Sequence, residues 1–419
     1  MKTIFRSLGM GVLLTGVMAV GAYAQEPAAC AETGAADAQA ALQDKIRESY
    51  AKDKKTAIDA GKQLLEKYGS CAFSAEFVAW LNPQLPKWEA SIKDAEVAAV
   101  RSAILKRFDA AIPAKNWDEA YKAGEEFFAK FPNDPAKINI MIPLATIGVY
   151  ESYPPAKNYK YNDATLKYAK AAIADLKAGV KHTKENKQGV PVYGAFQFEA
   201  TKDDAISELT YGLAYITYWA KGDKKGALPY YYEAVQSPGL HKDDAYIYET
   251  LGAYYVDGAA PLGTEIASMI EKLKASTDDA EKTKLDAEIK GKIALFNGYT
   301  ERALDAFARA HKSLAAKTDA ESKKRRDGIY TTLQNLYKRR FDKDAGLDAY
   351  LATTVAKPLP NPTTDVQPVV EEPTTDTNTN TTTTATPAPA KPVATTPTKP
   401  LSTNTVKVGG ATAAKKGTR

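Results

Sequence analysis

From Asp37 to Leu351 the chain repeats one pattern: apolar and aromatic residues return at every third or fourth position, then a short polar or proline-containing break interrupts them. Ala57, Ala60, Gly61, Leu64, Leu65 and Tyr68 form one such stripe, and Ala120, Gly124, Phe127, Phe128 and Phe131 form another. That spacing places each set on one face of a helix. The breaks fall at Gly69-Ser70, Pro83 to Pro86, Pro132-Asn133-Asp134-Pro135, Pro154-Pro155, Gly222-Asp223 and Ser237-Pro238-Gly239. Helical pieces joined by turns this short predict antiparallel hairpins, hence an all-α fold. The one stretch with loose strand-like alternation is Gly189 to Phe198, inside a long connection from about Gly179 to Asp203. It reads as an excursion from a helical body, a short hairpin being the alternative.

The pattern stops at Ala356. Residues 356–419 are dense in Pro and Thr and contain no Trp, Tyr or Phe. Such a segment has too little apolar surface to offset the entropy of ordering, so a disordered tail is expected there. At the other end, Lys2 and Arg6 precede an apolar run from Met10 to Val20, and Ala22-Tyr23-Ala24 follows. This predicts a secretory signal peptide over residues 1–24 and a helical domain over 25–355. Cys30 lies too far beyond the apolar run for a lipid-attachment site. The full chain carries a net charge of +5, and loss of Lys2 and Arg6 would bring it nearer neutrality. A balance that small gives no argument for nucleic acid, whose binders concentrate basic residues.

Several hairpins share finer spacing. GDKKGALPYYYEAVQSP has Gly222, Ala227, Tyr231 and Ala234, with Pro238 ending it; NGYTERALDAFARA has Gly298, Ala303, Phe307 and Ala310 at the same offsets. NWDEAYKAGEEFFAKFPND adds Trp117, Ala120, Phe127 and Pro132. Upstream helices carry Tyr248, Leu251, Gly252 and Tyr255, and again Tyr211, Gly212 and Tyr215. Together these resemble the tetratricopeptide repeat (TPR), in which small residues let paired helices approach closely. The alanines Ala57, Ala120, Ala227 and Ala303 are not spaced by multiples of the family's ~34-residue period. The resemblance therefore implies a degenerate TPR-like α-solenoid, interrupted by insertions such as Val256 to Phe296. In an antiparallel first hairpin Cys30 and Cys71 fall at the same end, so a disulfide is expected between them, two separate thiols being the alternative.

Candidate chemistry is sparse. The three histidines, His182, His241 and His311, sit apart, with no HExxH pair, and no GxSxG, Walker A or GxGxxG motif occurs. Asp342, Asp344 and Asp348 around Gly346 do not complete a calcium loop and read as a polar turn. No catalytic residue, metal or cofactor is expected. Of the 24 tyrosines, most fall where a TPR packs its aromatics; Tyr159 and Tyr161 near Pro154-Pro155, and Tyr193, lie on loops and are candidate contact residues. The resemblance implies a ligand on the surface formed by first helices. Carrying its offsets across puts Tyr246, Glu249 and Asp257 there in one unit, Asn335, Lys338 and Arg339 in another, and apolar Leu209, Leu213 and Ile216 in a third. The expectation is an exported, non-enzymatic scaffold of the periplasm or cell envelope that binds a protein or peptide. The alternative is an envelope glycan-binding protein using the loop aromatics.

Overall fold

The computed structural model describes residues 27–183, 185–195 and 199–370. The expected signal peptide over 1–24 and the expected tail from 371 onward lie outside the described residues. Every regular element among those described is helical, and the chain divides into two compact units, the second beginning at Ile104.

In the first unit a single turn α1 (Ala28–Ala31) precedes α2 (Ala35–Ser49), which pairs with α3 (Lys54–Tyr68); the long helix α4 (Ala75–Ala111) follows. Asp53 ends the turn between α2 and α3 by accepting from the Thr56 amide at 3.2 Å, which satisfies one of the free donors at a helix start. Ile46, Ala57, Ala60 and Leu64 are buried against Leu81, Leu85 and Trp88 of α4. Pro83 and Pro86, expected as a break, lie inside α4. Each lacks the N–H that would bond the carbonyl of Ala79 or Asn82. All four residues are on or near the solvent side, so water can satisfy those carbonyls while the apolar stripe stays buried. Burial of the stripe outweighs two lost hydrogen bonds.

The expected disulfide is present: Cys30 and Cys71 are bonded, with Cα atoms 5.5 Å apart. Cys71 is fully buried beside Ala35 and Tyr68, and the Ser74 hydroxyl donates to its carbonyl at 2.8 Å.

The second unit contains the last turns of α4, then α5 (Trp117–Lys130), α6 (Ile138–Ser152), α7 (Asn162–Lys177), α8 (Lys202–Tyr215), α9 (Lys224–Gln236), α10 (Ala245–Ala275), α11 (Asp279–Leu314), α12 (Ala320–Phe341) and α13 (Leu347–Val355). Successive helices pack on one another, chiefly as α6 with α7, α8 with α9 and α10 with α11, and α6 also reaches α8. Asn116, Thr201, Asp223, Asp244, Asp278 and Asp319 cap their helices, each accepting from a backbone amide of the first turn, and Asp223 lies in one of the expected breaks. One core gathers Phe127, Ile138, Leu144, Leu176 and Leu209; another gathers Tyr231, Ile247, Leu251, Leu304 and Leu333.

Two expectations change. The stretch Val256 to Phe296, read as an insertion, is the continuation of α10 and α11 as a long antiparallel pair, with Ile266 and Ile289 buried along it. The first residues of the expected disordered tail, 357–370, are laid down against the second unit: Leu359 is buried and the Val369 amide donates to the Ala294 carbonyl at 2.8 Å. Among its described residues the connection before α8 forms one isolated bridge, Glu185 with Pro191, and packs Val192, Tyr193 and Ala200 inward; residues 196–198 of the stretch read as strand-like lie outside the described residues.

The disulfide closes a segment of 41 residues, which by loop entropy contributes about 3 to 4 kcal/mol. Replacing Cys30 and Cys71 by serine is expected to lower the urea midpoint of the first unit by a corresponding amount. An unchanged midpoint in the double variant would show that α2 and α3 do not depend on the bond.

Candidate functional site

The helix α8 does not end with ordinary geometry. Ile216–Ala220 forms a turn of π-helix, a local widening that re-aims side chains. Ile216 and Tyr218 point into the core, whereas the Trp219 indole is 41% exposed. It lies beside the hydroxyls of Tyr231 and Tyr246 and packs edge-on to Tyr218, 4.8 Å between centroids.

Trp219 is one rim of a continuous sheet of rings. Tyr211 and Tyr215 occupy successive turns of α8; Tyr153, after α6, packs edge-on to Tyr215 at 4.4 Å, and Tyr150 packs on Tyr153 at 5.8 Å. Tyr211 stacks on the His241 imidazole at 4.1 Å and meets Tyr246 edge-on at 6.4 Å. Edge-to-face and offset contacts of this kind each add to plain area burial. Burial pushes the hydroxyls of Tyr153, Tyr211 and Tyr231 well above their usual range, and those of Tyr150 and Tyr215 to about 12. The ring bed is therefore uncharged at neutral pH. Its outer members, Tyr150 at 44% and Trp219 at 41%, remain open to solvent, and Tyr159, near Tyr215, is 47% exposed.

Charged pairs frame this bed. The two His241 nitrogens lie 2.8 Å from Asp244 and 2.9 Å from Glu208. Burial pulls the imidazole down, but hydrogen bonds and charge from Asp244 and Glu208 overcome it and hold the group at about 9. Burial would likewise raise Asp244; His241 and the Tyr246 amide hold it below the usual carboxylate range. Arg325 of α12 donates to Glu249 of α10 at 2.6 Å, and its guanidinium sits 5.7 Å from the Tyr246 ring centre. Burial raises the Glu249 carboxyl even against the nearby arginine.

Of the residues expected to bind, Tyr246 and Glu249 belong to this face, though Glu249 is already committed to Arg325. Tyr159 is exposed beside it. Tyr161 and Tyr193 are buried: Tyr161 stacks on Tyr121 at 4.5 Å and donates to Asp118 at 2.7 Å, and Tyr193 packs against His182. Asp257 pairs with Lys224 at 2.7 Å on the surface.

Asn335 and Lys338 line a separate groove of about 470 Å³ along α12 and the turn into α13, with Tyr330, Gln334, Asp344 and Asp348. In it Lys338 meets Asp344 at 3.1 Å and Tyr330 donates to Asp348 at 2.9 Å. Arg339 is exposed but does not line it. Asp342 and Gly346 take left-handed conformations that end α12 and start α13, so the Asp342 to Asp348 stretch is the polar turn expected. Leu209, Leu213 and Ile216, placed by offset on an open face, are core residues because α6, α7 and α9 all pack around α8. Trp219, Tyr150, Arg325 and the His241 pair were not identified beforehand, since each gains its role across helices.

Among the described residues no cluster of three or more His, Cys, Asp or Glu is arranged to hold a metal ion, and no membrane-spanning helix is present. Comparison with protein-family models, curated proteins and solved structures finds no match to this chain.

The His241 clamp makes stability pH-dependent. The folded value of about 9 lies above the ordinary 6.5, so its contribution is complete below 6.5 and is lost as pH rises through about 9. His241→Gln is expected to lower the urea midpoint strongly at pH 6 and little at pH 10. A difference between variant and parent that stays constant over that range would contradict the clamp.

Proposed function

We propose that the protein is an exported, non-enzymatic scaffold of the periplasm or cell envelope, built as a degenerate TPR-like solenoid, and that it binds a protein partner through the aromatic face of its second unit. Support for the solenoid comes from the order of packing in the second unit, in which each helical pair rests on the next one along the chain. Support for export comes from the buried disulfide, a bond that persists in oxidising compartments.

The observation that carries the binding role is the exposure of Tyr150 and Trp219 above rings that are themselves locked in place. Large rings presented on a rigid bed lose little entropy on binding and dominate interface energetics. The bed is neutral, so shape and apolar burial would set affinity, while Arg325, Glu249 and His241 would bias partner choice around the rim. A glycan-binding role built on loop aromatics is less well supported, because two of its three rings, Tyr161 and Tyr193, are buried.

Captures from envelope extract test the reading. Trp219→Ala and Tyr150→Ala are each expected to weaken capture of a stoichiometric protein about thirtyfold, a hot-spot loss of ~2 kcal/mol, with helicity unchanged. Capture that survives both changes would contradict it. Retention on purified peptidoglycan that is lost with Tyr159→Ala would favour the glycan reading instead.

A further inference from the structure

The segment after α13 is held in a way unlike the helices. Residues 357–370 run against the direction of α11: Lys357 meets Arg309, Asn361 and Thr364 meet Arg302, Val366 and Gln367 pass Gly298, and Val369 meets Ala294. The distance from Arg309 back to Ala294 is about four helical turns, ~22 Å. Over that length the protein grips mostly main chain. Arg309 Nη2 donates to the Lys357 carbonyl at 2.7 Å, Arg302 Nη1 to the Asn361 carbonyl at 3.2 Å, and the Val369 amide donates to the Ala294 carbonyl at 2.8 Å. Arg302 Nη2 adds the Thr364 hydroxyl at 3.2 Å.

The remaining contacts select for shape. Pro358, Pro360 and Pro362 alternate along the segment; Leu359 is buried between them, and Leu359, Pro360 and Pro362 lie against Leu251, Tyr255 and Ala306. Prolines bring no N–H that an apolar wall would leave unpaired, and their fixed φ lowers the cost of ordering an extended chain. Gly298 supplies room, because a Cβ there would collide with the Gln367 carbonyl and come within 3.0 Å of Val366. Arg309 is fixed before it meets the segment, by Asp305 at 2.8 Å. Two arginines aimed at carbonyls, one of them fixed by Asp305, an apolar wall for prolines and a bare backbone site together make a receptor for an extended chain.

We infer that the face formed by α10 and α11 is a binding site for an extended, proline-alternating peptide with an apolar anchor, and that residues 357–370 occupy it in cis. Joined to the core through α13, the segment has a high effective concentration and keeps the site closed to weak competitors. A partner segment of the same chemistry competes with it. The site shares no exposed ring with the aromatic face, so failure here leaves that proposal standing, and the probes differ.

The test uses the full chain and a fluorescent synthetic peptide of residues 357–370, followed by anisotropy. Leu359→Asp with Val366→Asp releases the in-chain segment, which hydrogen exchange at residues 357–370 verifies. The released chain is expected to bind the peptide at least tenfold more tightly than the parent. Adding Gly298→Ala, which favours the α11 helix yet fills the bare site, is expected to remove most of that gain, as is Arg302→Ala. Peptide in which Pro360 and Pro362 are glycine is expected to bind at least tenfold more weakly. Equal binding by released and parent chains, or a gain indifferent to Gly298→Ala and Arg302→Ala, overturns the inference. If the double aspartate chain loses helicity, a chain with 357–370 replaced by a Gly/Ser segment of equal length takes its place. Loss of helicity there too overturns the inference, because the segment is then part of the fold and not its ligand.

Discussion

Close approach of helices at small residues is the constraint on which the rest of the second unit depends. A Cβ at Gly252 would lie 2.7 Å from the Phe307 ring, and one at Gly212 would lie 2.5 Å from a Val149 methyl. With hydrogen in those places α10 closes on α11, and α8 closes on α6. The spacing lets Tyr211 and Tyr215 of α8, Tyr246 of α10 and Tyr153 after α6 meet as one bed of rings. Larger residues there would part the helices, and interiors packed at crystal-like density do not absorb such gaps. Fold and candidate site therefore share a cause.

The same packing explains the placement of charge. Largely buried charges are partnered: Arg325 of α12 with Glu249 of α10 at 2.6 Å, and Arg309 with Asp305 one turn away on α11 at 2.8 Å. An unpaired charge at that depth would cost several kcal/mol. Surface pairs such as Lys290 with Asp286 contribute little, by contrast, because water screens them. The aromatic face thus has a floor of rings and a rim whose charges each have an opposite partner. This suits contact through shape more than through steering by net charge.

Much of this was legible in the residue pattern. The stripes at Ala57 to Tyr68 and Ala120 to Phe127 fix which faces are buried, and hairpin geometry was enough to bring Cys30 to Cys71. Pro83 and Pro86 misled because a local breaker yields to the burial of Leu81, Leu85 and Trp88. Residues 357–370 misled for a different reason: Arg302 and Arg309 hold their carbonyls, and carbonyls leave no trace in composition. Tyr159 and Tyr246 at the aromatic face, and Asn335 and Lys338 in the separate α12 groove, could be placed on their helices or loops by spacing. Trp219 depends on a π turn, and His241 on Glu208 from another helix; neither has a signature along the chain. Tyr161 and Tyr193 show the converse, loop residues whose rings the fold turns inward.

The most direct measurement of the central claim is site-specific photocrosslinking in the living cell. A photoreactive phenylalanine analogue would be placed at Trp219, and in a second chain at Val97 of α4, which is exposed at 47% but belongs to the first unit. Discrete protein adducts from position 219, with none from 97, are the result that a partner-binding aromatic face requires. Adducts from neither position, or the same adducts from both, would contradict it.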